Sequence, residues 1–306
     1  MTTQDQIRND PRYRPVLDSG FVGLIDAMGD DASIARAARV SYGEGTKTVR
    51  EDTGLLRYLM KHDHTSPFEM VEFLFHIKMP IFLARQHVRH RTASMNEYSG
   101  RYSEMSAEFY LPEKNRMQGQ DTVNNKQGSA DPLSNFDATA VWETIQHANV
   151  ESLHAYKDLL KPRPSSGNIS LSRELARIVL PVSNYTEMYW KMDLKNLLHY
   201  IGLRMDSHAQ WEIQQYAQYM AEFVKQRCPI TWQAFMDYKY QSIKISRGES
   251  DLLVDAVAHS NVNECSVKAS MRALVEQHGD EKTLCFHYGI SPKELLEFVS
   301  KLKFRM

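Results

Sequence analysis

A strand that runs directly into a helix is the feature that most restricts the fold of this chain. Residues 71–79, VEFLFHIKM, are rich in Val, Phe and Ile and predict a β-strand. Pro80 follows, as is typical of a first helical turn, and apolar residues then recur at helical spacing over 80–91. That segment ends in Arg-His-Arg. The sequence therefore predicts a strand followed at once by a helix, with cationic side chains at the helix end.

Further strands and helices are predicted on both sides of this segment. Strands are predicted at 21–29 and 183–192, and helices at 30–43, 49–62, 137–161, 170–181, 193–204 and 208–227. The polar residues 113–136 have few apolar anchors and predict a mobile loop or an insertion. The composition becomes more polar from about Gly248. We place a domain boundary near residue 245, so that 1–244 form the main domain and 245–306 an appendage of unknown role.

Composition excludes several classes of protein. The 37 Lys and Arg residues nearly balance 38 Asp and Glu, so the whole chain has no strong field for nucleic acid or membrane. We find no apolar run long enough for a membrane span and no signal-peptide core at the N-terminus, which predicts a cytoplasmic protein. Cys228, Cys265 and Cys285 are too few and too scattered for a disulfide framework or a zinc site, so no metal is expected.

The common nucleotide-binding motifs are absent from the sequence. No GxGxxG follows a predicted strand, and GxxxxGK[ST] does not occur. The sequence therefore supports neither a dinucleotide-binding Rossmann unit nor a P-loop. A phosphorylated ligand would have to be held largely by side chains.

The segment RHRTASMNEYSGRYS, residues 89–103, predicts an anion site. Between Arg85 and Arg101 the chain carries four arginines and two histidines but one acid, Glu97. The arginine fork suits phosphate, and the small Gly100 lets backbone N–H groups approach an oxyanion. Two alternatives remain open at this point. The cluster could be a basic surface face paired with acids elsewhere, or it could bind nucleic acid through its phosphates.

The same residues resemble a known family. RHRTASMNEYS fits the pattern of Arg-His-Arg, seven residues and Ser that marks the flavin-dependent thymidylate synthases. HTSPFEMVEFLFHIKMPIFLARQHVRHR and LARIVLPVSNYTEMYWKMDLKNLLHYIGLRMDSHAQWEIQQYA resemble two further blocks of that family. The resemblance covers roughly residues 19 to 240. Three separated blocks in the same order make a chance match a poor explanation.

The resemblance implies a reaction, a fold and an assembly. In this family the methylene carbon of 5,10-methylenetetrahydrofolate is transferred to C5 of dUMP and reduced to methyl, giving dTMP and tetrahydrofolate. NADPH supplies the electrons through bound FAD, which lies between the subunits of a homotetramer. The expected fold is α+β, with a mixed or mainly antiparallel sheet packed against helices. A flavin held by several chains is consistent with the missing Rossmann motif.

The resemblance also implies roles for individual residues. Arg204 would be the catalytic cation beside the pyrimidine, and His64 would lie on the folate and nicotinamide access route. The flavin contacts would be Ser41, Ser66, Glu69, Arg89, His90, Arg91, Thr92, Glu97, Asp193, Lys195 and His199. The dUMP contacts would be Gln86, Arg89, Glu97, Tyr98, Ser99, Gly100, Arg101, Arg177 and Arg204.

Several of these residues have structural alternatives. Arg204 could merely complement the dipole at a helix end, His64 could be a turn residue, and Glu69 could be an acid at a helix start. Ser99 is assigned to dUMP binding, because no base that would activate its hydroxyl is recognisable nearby in the sequence. No cysteine lies in a matching block either, so no enzymic Cys or Ser nucleophile is expected.

Three residues of the last flavin-contacting helix depart from the family pattern. Asp193, Lys195 and His199 stand where other members carry Asn, Arg and Asn. Lys195 keeps a cation but loses the planar fork of arginine, and Asp193 places a carboxylate near the expected diphosphate. The flavin contacts of this helix are therefore the part of the predicted site that the family pattern determines least.

Overall fold

The computed structural model describes residues 7, 9–40, 49–120, 128–258, 274–290, 292, 295, 296 and 298. The chain divides into two compact units, Met1–Tyr240 and Gln241–Met306. The sequence placed this division near residue 245. None of the helices in the described ranges combines the length and apolarity that a bilayer crossing requires.

The first unit is built on an antiparallel sheet. The described strands are β1 (Tyr13–Val16), β2 (Gly20–Met28), β3 (Glu72–Pro80), β4 (Ser94–Glu97), β5 (Gln118–Gln120), β6 (Ser129–Pro132) and β7 (Tyr185–Asp193). Five of them pair in the order β1-β2-β3-β7-β4, and every pair is antiparallel. The predicted α+β class with a mainly antiparallel sheet is therefore confirmed.

Helices precede, follow and cover these strands. The described α-helices are α1 (Asp31–Arg39), α2 (Val49–Lys61), α3 (Ile81–His87), α4 (Asn135–Leu159), α5 (Arg173–Ala176), α6 (Leu194–Arg204), α7 (Trp211–Arg227), α8 (Pro229–Phe235), α9 (Arg247–Ala258) and α10 (Glu281–Tyr288). The cap of α1 is the predicted one, since the Asp30 side chain accepts from the Ser33 backbone N–H at 3.0 Å.

The core lies between one face of the sheet and the helices α6 and α7. Phe75 is fully buried on β3, and Trp190 on β7 is 1 % exposed. Phe75 contacts Phe223 of α7, and Trp190 contacts Tyr200 of α6. Alternate residues of the same strands face away from this core, so Tyr189 is exposed. The sheet therefore fixes α3 and α6, which follow β3 and β7 directly.

Three predicted elements differ from the structure. The helix predicted over 80–91 ends at His87, and the one predicted over 170–181 is reduced to α5 and a 3₁₀ turn, Arg177–Val179. The segment 113–136 is not a loop throughout, because β5 and β6 pair as a short hairpin. Met117 is buried beside this hairpin and supplies an apolar anchor that the polar composition concealed.

The second unit has a small core of its own. Leu252 of α9 and Leu284 of α10 are fully buried in it, and Phe298 belongs to the same cluster. Asp280 caps α10 by accepting from the Thr283 backbone N–H at 2.7 Å. Gly289 ends that helix with a φ of 64°, a left-handed conformation that favours glycine.

Candidate functional site

The end of α3 is fixed by a buried histidine. His87 Nδ1 lies 3.0 Å from the Tyr200 hydroxyl of α6, and its ring centroid lies 4.4 Å from that of Trp190. Complete burial lowers the pKa of His87 to about 3, so the ring is neutral at physiological pH. The helix therefore stops where His87 enters the core, and the next residues turn outward.

Arg204 lies at the end of α6 and contacts the turn that follows α3. Its Nε–H donates to His90 Nε2 at 3.2 Å, and its terminal NH₂ group donates to the backbone carbonyl of Gln86 at 3.2 Å. Burial, with a further effect of the Arg204 charge, lowers the pKa of His90 to about 4. A neutral His90 can accept this hydrogen bond, which an imidazolium could not.

Two hydrogen bonds leave part of the Arg204 guanidinium available. An arginine carries five N–H donors in a fixed plane. In the part of the chain that the structure describes, the acceptors of Arg204 are His90 Nε2 and Gln86 O. The half-buried side chain is thus held in one orientation while further donors remain for a ligand.

Arg89 and Arg91 flank His90 in the same turn. Both arginines are exposed, and neither has a hydrogen-bond or ion-pair partner among the described residues. The ring of His199, one turn before the end of α6, lies 6.1 Å from the ring of His90. Cations and imidazole donors therefore gather at one edge, a set of groups suited to an anionic ligand. Thr92 is exposed directly after Arg91.

A cavity of about 280 Å³ lies beside this turn. The residues that line it are Ile81, Ala84, Arg85, Val88, Glu97, Tyr98, Gly100, Met105, Arg177, Leu180, Asn184 and Thr186. They come from α3, β4, β7, the loop after β4 and the 3₁₀ turn of Arg177. Four predicted dUMP contacts, Glu97, Tyr98, Gly100 and Arg177, are among them. Residues about 80 positions apart in the sequence are thus brought to one site.

Glu97 is held in place across the sheet edge. It ends β4, which pairs with β7, and its Oε1 accepts from the buried Thr186 hydroxyl at 2.7 Å. The Tyr98 backbone N–H donates to the carbonyl of Glu187 at 2.8 Å, which continues the pairing past the strand end. These bonds orient one carboxylate and the start of the following loop toward the cavity.

The loop that contains Ser99 and Arg101 is tied to α5. Arg101 Nε lies 3.0 Å from Glu174 Oε2, and the Arg101 backbone N–H donates to Ser99 Oγ at 3.3 Å. Both side chains of the Arg101–Glu174 pair are more than half exposed, so the pair contributes at most about 1 kcal/mol. Arg177 Nε also donates to the backbone carbonyl of Glu174, at 3.3 Å. Two cationic side chains therefore meet at one turn of chain.

No activated nucleophile is found among the described residues of this site. The hydrogen bond of Ser99 Oγ is with a backbone N–H, and no histidine or carboxylate contacts that hydroxyl there. Burial, with the nearby Asp31 and Asp30, raises the pKa of the Cys228 thiol to about 12. Cys285 is also buried, and Cys265 lies outside the described residues. The Ser99 hydroxyl therefore has no base among the described residues that would activate it.

The predicted contacts before β3 lie on a short 3₁₀ helix. His64 precedes it, and Ser66 and Glu69 are exposed within Ser66–Met70. This 3₁₀ helix packs against α6, the helix that carries Arg204. The structure therefore places the 3₁₀ helix that carries Ser66 and Glu69 beside α6. Ser41 lies outside the described residues.

Asp193 and Lys195 take part in the start of α6. The Asp193 carboxylate accepts from the Asn196 backbone N–H at 2.9 Å and from the Asn196 side-chain amide at 2.6 Å. Lys195 Nζ donates to the Asn196 side-chain oxygen at 3.2 Å. A helix cap thus accounts for Asp193 without any ligand. The flavin contacts predicted for both residues stay predictions.

Three polar lining residues, Arg85, Asn184 and Thr186, were not singled out in the sequence as ligand contacts. Thr186 hydrogen-bonds Glu97 although the two are far apart in the chain, and no local pattern signals that pairing. Arg85 belongs to the basic cluster, and its position four residues before Arg89 was the available signal. Gln86, by contrast, was predicted to contact dUMP, and its side-chain amide donates to Gln210 Oε1 at 2.6 Å.

Comparisons with known proteins agree on one family. Residues 23–230 match the family model described as thymidylate synthase complementing protein. The flavin-dependent thymidylate synthase of one Thermus thermophilus strain is 54 % identical over 239 residues, covering 78 % of this chain and 84 % of the relative. The enzyme of the same name from Ruegeria pomeroyi is 46 % identical over 253 residues, 83 % of this chain and 82 % of the relative.

A solved structure supports the same fold. The UMP/dUMP methylase of Streptomyces cacaoi, bound with 5-bromo-UMP, superposes with a TM-score of 0.64 at 33 % sequence identity. The match covers 74 % of this chain and 98 % of that protein. A second structure of the same methylase, bound with 5-bromo-dUMP, gives a TM-score of 0.65 at 31 % identity.

Proposed function

Because this chain belongs to the flavin-dependent thymidylate synthase family, we propose that it makes dTMP from dUMP with FAD, NADPH and 5,10-methylenetetrahydrofolate. It is a dUMP methyltransferase that depends on a flavin. The identity of the flavin as FAD, the electron donor and the folate are the proposed parts. The observation that carries the reaction of dUMP onto this chain is the cavity in which four predicted dUMP contacts converge.

The cavity fits a nucleoside monophosphate. Arg177 supplies a cation that binds phosphate bidentately, and Gly100 leaves room beside it for the phosphate oxygens. Arg101 can join them at small cost, because its pair with Glu174 is exposed and weak. Glu97 and Tyr98 would contact the sugar or base from the opposite strand edge. This assignment gives Arg177 and Glu97 of the cavity lining a partner on dUMP.

Arg204 would stabilise charge on the pyrimidine. Its remaining N–H donors would stabilise negative charge on N3 and the adjacent carbonyl oxygens, the charge that makes C5 electron-rich and able to attack the one-carbon unit. His90 and the Gln86 carbonyl hold the guanidinium before dUMP arrives, so no reorganisation is needed at that moment. His90 thereby acts as a positioning residue, in addition to its predicted flavin contact.

The groups around Arg204 fit a flavin dinucleotide. Arg89 and Arg91 offer a diphosphate two cations that have no partner among the described residues, and His90 and His199 offer ring donors or stacking surfaces. The exposed position of these groups suits a cofactor shared between subunits. When bound, FAD supplies the two electrons that reduce the transferred carbon. The residues of this chain bind it, orient it against dUMP and hold Arg204 beside the pyrimidine.

The alternative of nucleic-acid binding has no support in the structure. The arginines of the predicted patch divide between the cavity, the Arg204 turn and the Arg101–Glu174 pair, and do not form one stripe. Family membership accounts for the same residues as contacts of a mononucleotide, so binding of nucleic acid is not needed to explain them. The cytoplasmic location predicted from the sequence stays a prediction.

We expect the FAD-loaded protein to be a homotetramer. The segment between α4 and β7 exposes a series of aliphatic side chains around Arg177, which are Ile169, Leu171, Leu175, Ile178 and Val182. Such a patch is typical of an interface between subunits. Light scattering should give four times the chain mass of 35.4 kDa. A persistent monomer that retains FAD would contradict the shared site.

Product formation tests the proposed reaction directly. The purified protein should carry the visible absorption of oxidised flavin, and release of the chromophore should yield FAD. With dUMP, methylenetetrahydrofolate and NADPH it should form dTMP and tetrahydrofolate in equal amounts. Omission of NADPH should stop the reaction after the enzyme-bound reducing equivalents are used. If FAD-loaded protein forms no dTMP, the proposed reaction is wrong.

A further inference from the structure

Helix α3 presents two different surfaces, and one of them lines the cavity. Ile81, Ala84, Arg85 and Val88 follow the spacing of a single helical face and all belong to the cavity lining. His87 points into the core instead, where it meets Tyr200. Arg85 is therefore directed to the cavity by the helix itself.

Arg85 has no partner within the described part of the chain. Its side chain is exposed, whereas Arg101 pairs with Glu174 and Arg177 hydrogen-bonds the Glu174 carbonyl. An unpaired arginine on an open surface carries no information about function. Arg85 differs because its neighbours in the lining are Arg177 and Gly100, the residues proposed to hold a phosphate.

The two arginines of the lining are suited to the oxygens of a phosphate monoester. The described lining carries the guanidinium groups of Arg85 and Arg177 and the carboxylate of Glu97. Glu97 accepts from the Thr186 hydroxyl, and among the described residues it forms no ion pair with Arg85 or Arg177. A phosphate monoester carries close to two negative charges at neutral pH. Two forked cations can each donate two N–H groups to such a phosphate.

We propose that Arg85 is a further ligand of the dUMP phosphate and acts together with Arg177. The assignment rests on the proposed function, and it extends the predicted phosphate contacts to a residue of α3. Arg85 binds the part of dUMP that does not react. Its contribution is therefore equal in the ground state and the transition state, and it lowers the KM for dUMP without raising kcat.

The test compares two ligands that differ by the phosphate alone. The FAD-loaded parent protein and Arg85→Gln are titrated calorimetrically with dUMP and with deoxyuridine, and steady-state rates are measured with dUMP. Loss of one charged hydrogen-bond donor should weaken dUMP binding and raise its KM about tenfold, with kcat within about twofold of the parent. Deoxyuridine binding should be unchanged. Arg85→Lys should fall between the parent and Arg85→Gln.

A matched variant controls for the loss of one exposed arginine. Arg36 is exposed on α1, outside the cavity lining, and Arg36→Gln should leave every value unchanged. Equal weakening of dUMP and deoxyuridine by Arg85→Gln would overturn the assignment to phosphate. So would unchanged dUMP binding, loss of FAD, or loss of the assembled state. If the parent protein itself does not bind dUMP, the result contradicts the proposed function as a whole, and the role of Arg85 fails with it.

Discussion

Arg204→Ala is expected to lower kcat by about 100- to 1,000-fold, the usual cost of one donor aimed at developing charge. The side chain contacts the α3 turn through His90 and Gln86, and its remaining donors have no partner among the described residues. Removing it should leave the fold intact, because Arg204 is at the end of α6 and only half-buried. Steady-state rates of dTMP formation measure the effect.

The flavin absorption of the same variant separates chemistry from cofactor loss. Arg204→Ala should retain FAD at the parent ratio, and Arg204→Lys should recover part of the rate by keeping the charge without the planar fork. Undiminished turnover by Arg204→Ala would remove Arg204 from the chemistry. A variant that loses FAD would assign Arg204 to cofactor binding.

Long periodic segments made most of the fold predictable. The strands β2, β3 and β7 and the helices α4, α6 and α7 follow apolar patterns that span many residues. The end of α3 was not predictable in the same way. Arg89 and Arg91 have high helix propensity, but burial of His87 against Tyr200 and Trp190 turns the chain outward before them. Tertiary packing thus overrides a local preference.

The candidate site was predictable only where a family pattern marks it. Glu97, Tyr98, Gly100 and Arg177 were named from that pattern, and the structure brings all four to one cavity. Thr186 could not be found this way, since its role depends on the pairing of β4 with β7. Distance in the sequence hides such a contact. Charge alone would not have shown that Arg85, unlike its neighbours, faces the cavity. That orientation depends on the position of the residue around the helix axis.

Gly100→Val is expected to weaken dUMP binding about a hundredfold. A Cβ at this position would lie 2.5 Å from Met105 Sδ and 3.2 Å from Arg177 Cδ. Both of those side chains line the cavity, so the added atoms must push them into the space proposed for the phosphate. Such overpacking costs up to about 3 kcal/mol, which equals roughly two powers of ten in affinity. Calorimetric titration of the FAD-loaded protein with dUMP measures it.

A second substitution tests whether the effect is steric. Met105→Ala removes the nearer of the two obstructing side chains, so Gly100→Ala combined with Met105→Ala should bind dUMP more tightly than Gly100→Ala alone. Tighter dUMP binding by the double variant would identify the contact with Met105 as the cause of the loss. If the two substitutions acted independently, the double variant would instead bind dUMP more weakly than either single variant. Normal dUMP binding by Gly100→Val would show that the phosphate does not lie beside Gly100. Arg177 and Arg85 would then face a different part of the nucleotide, and the orientation of dUMP in the cavity would have to be reversed.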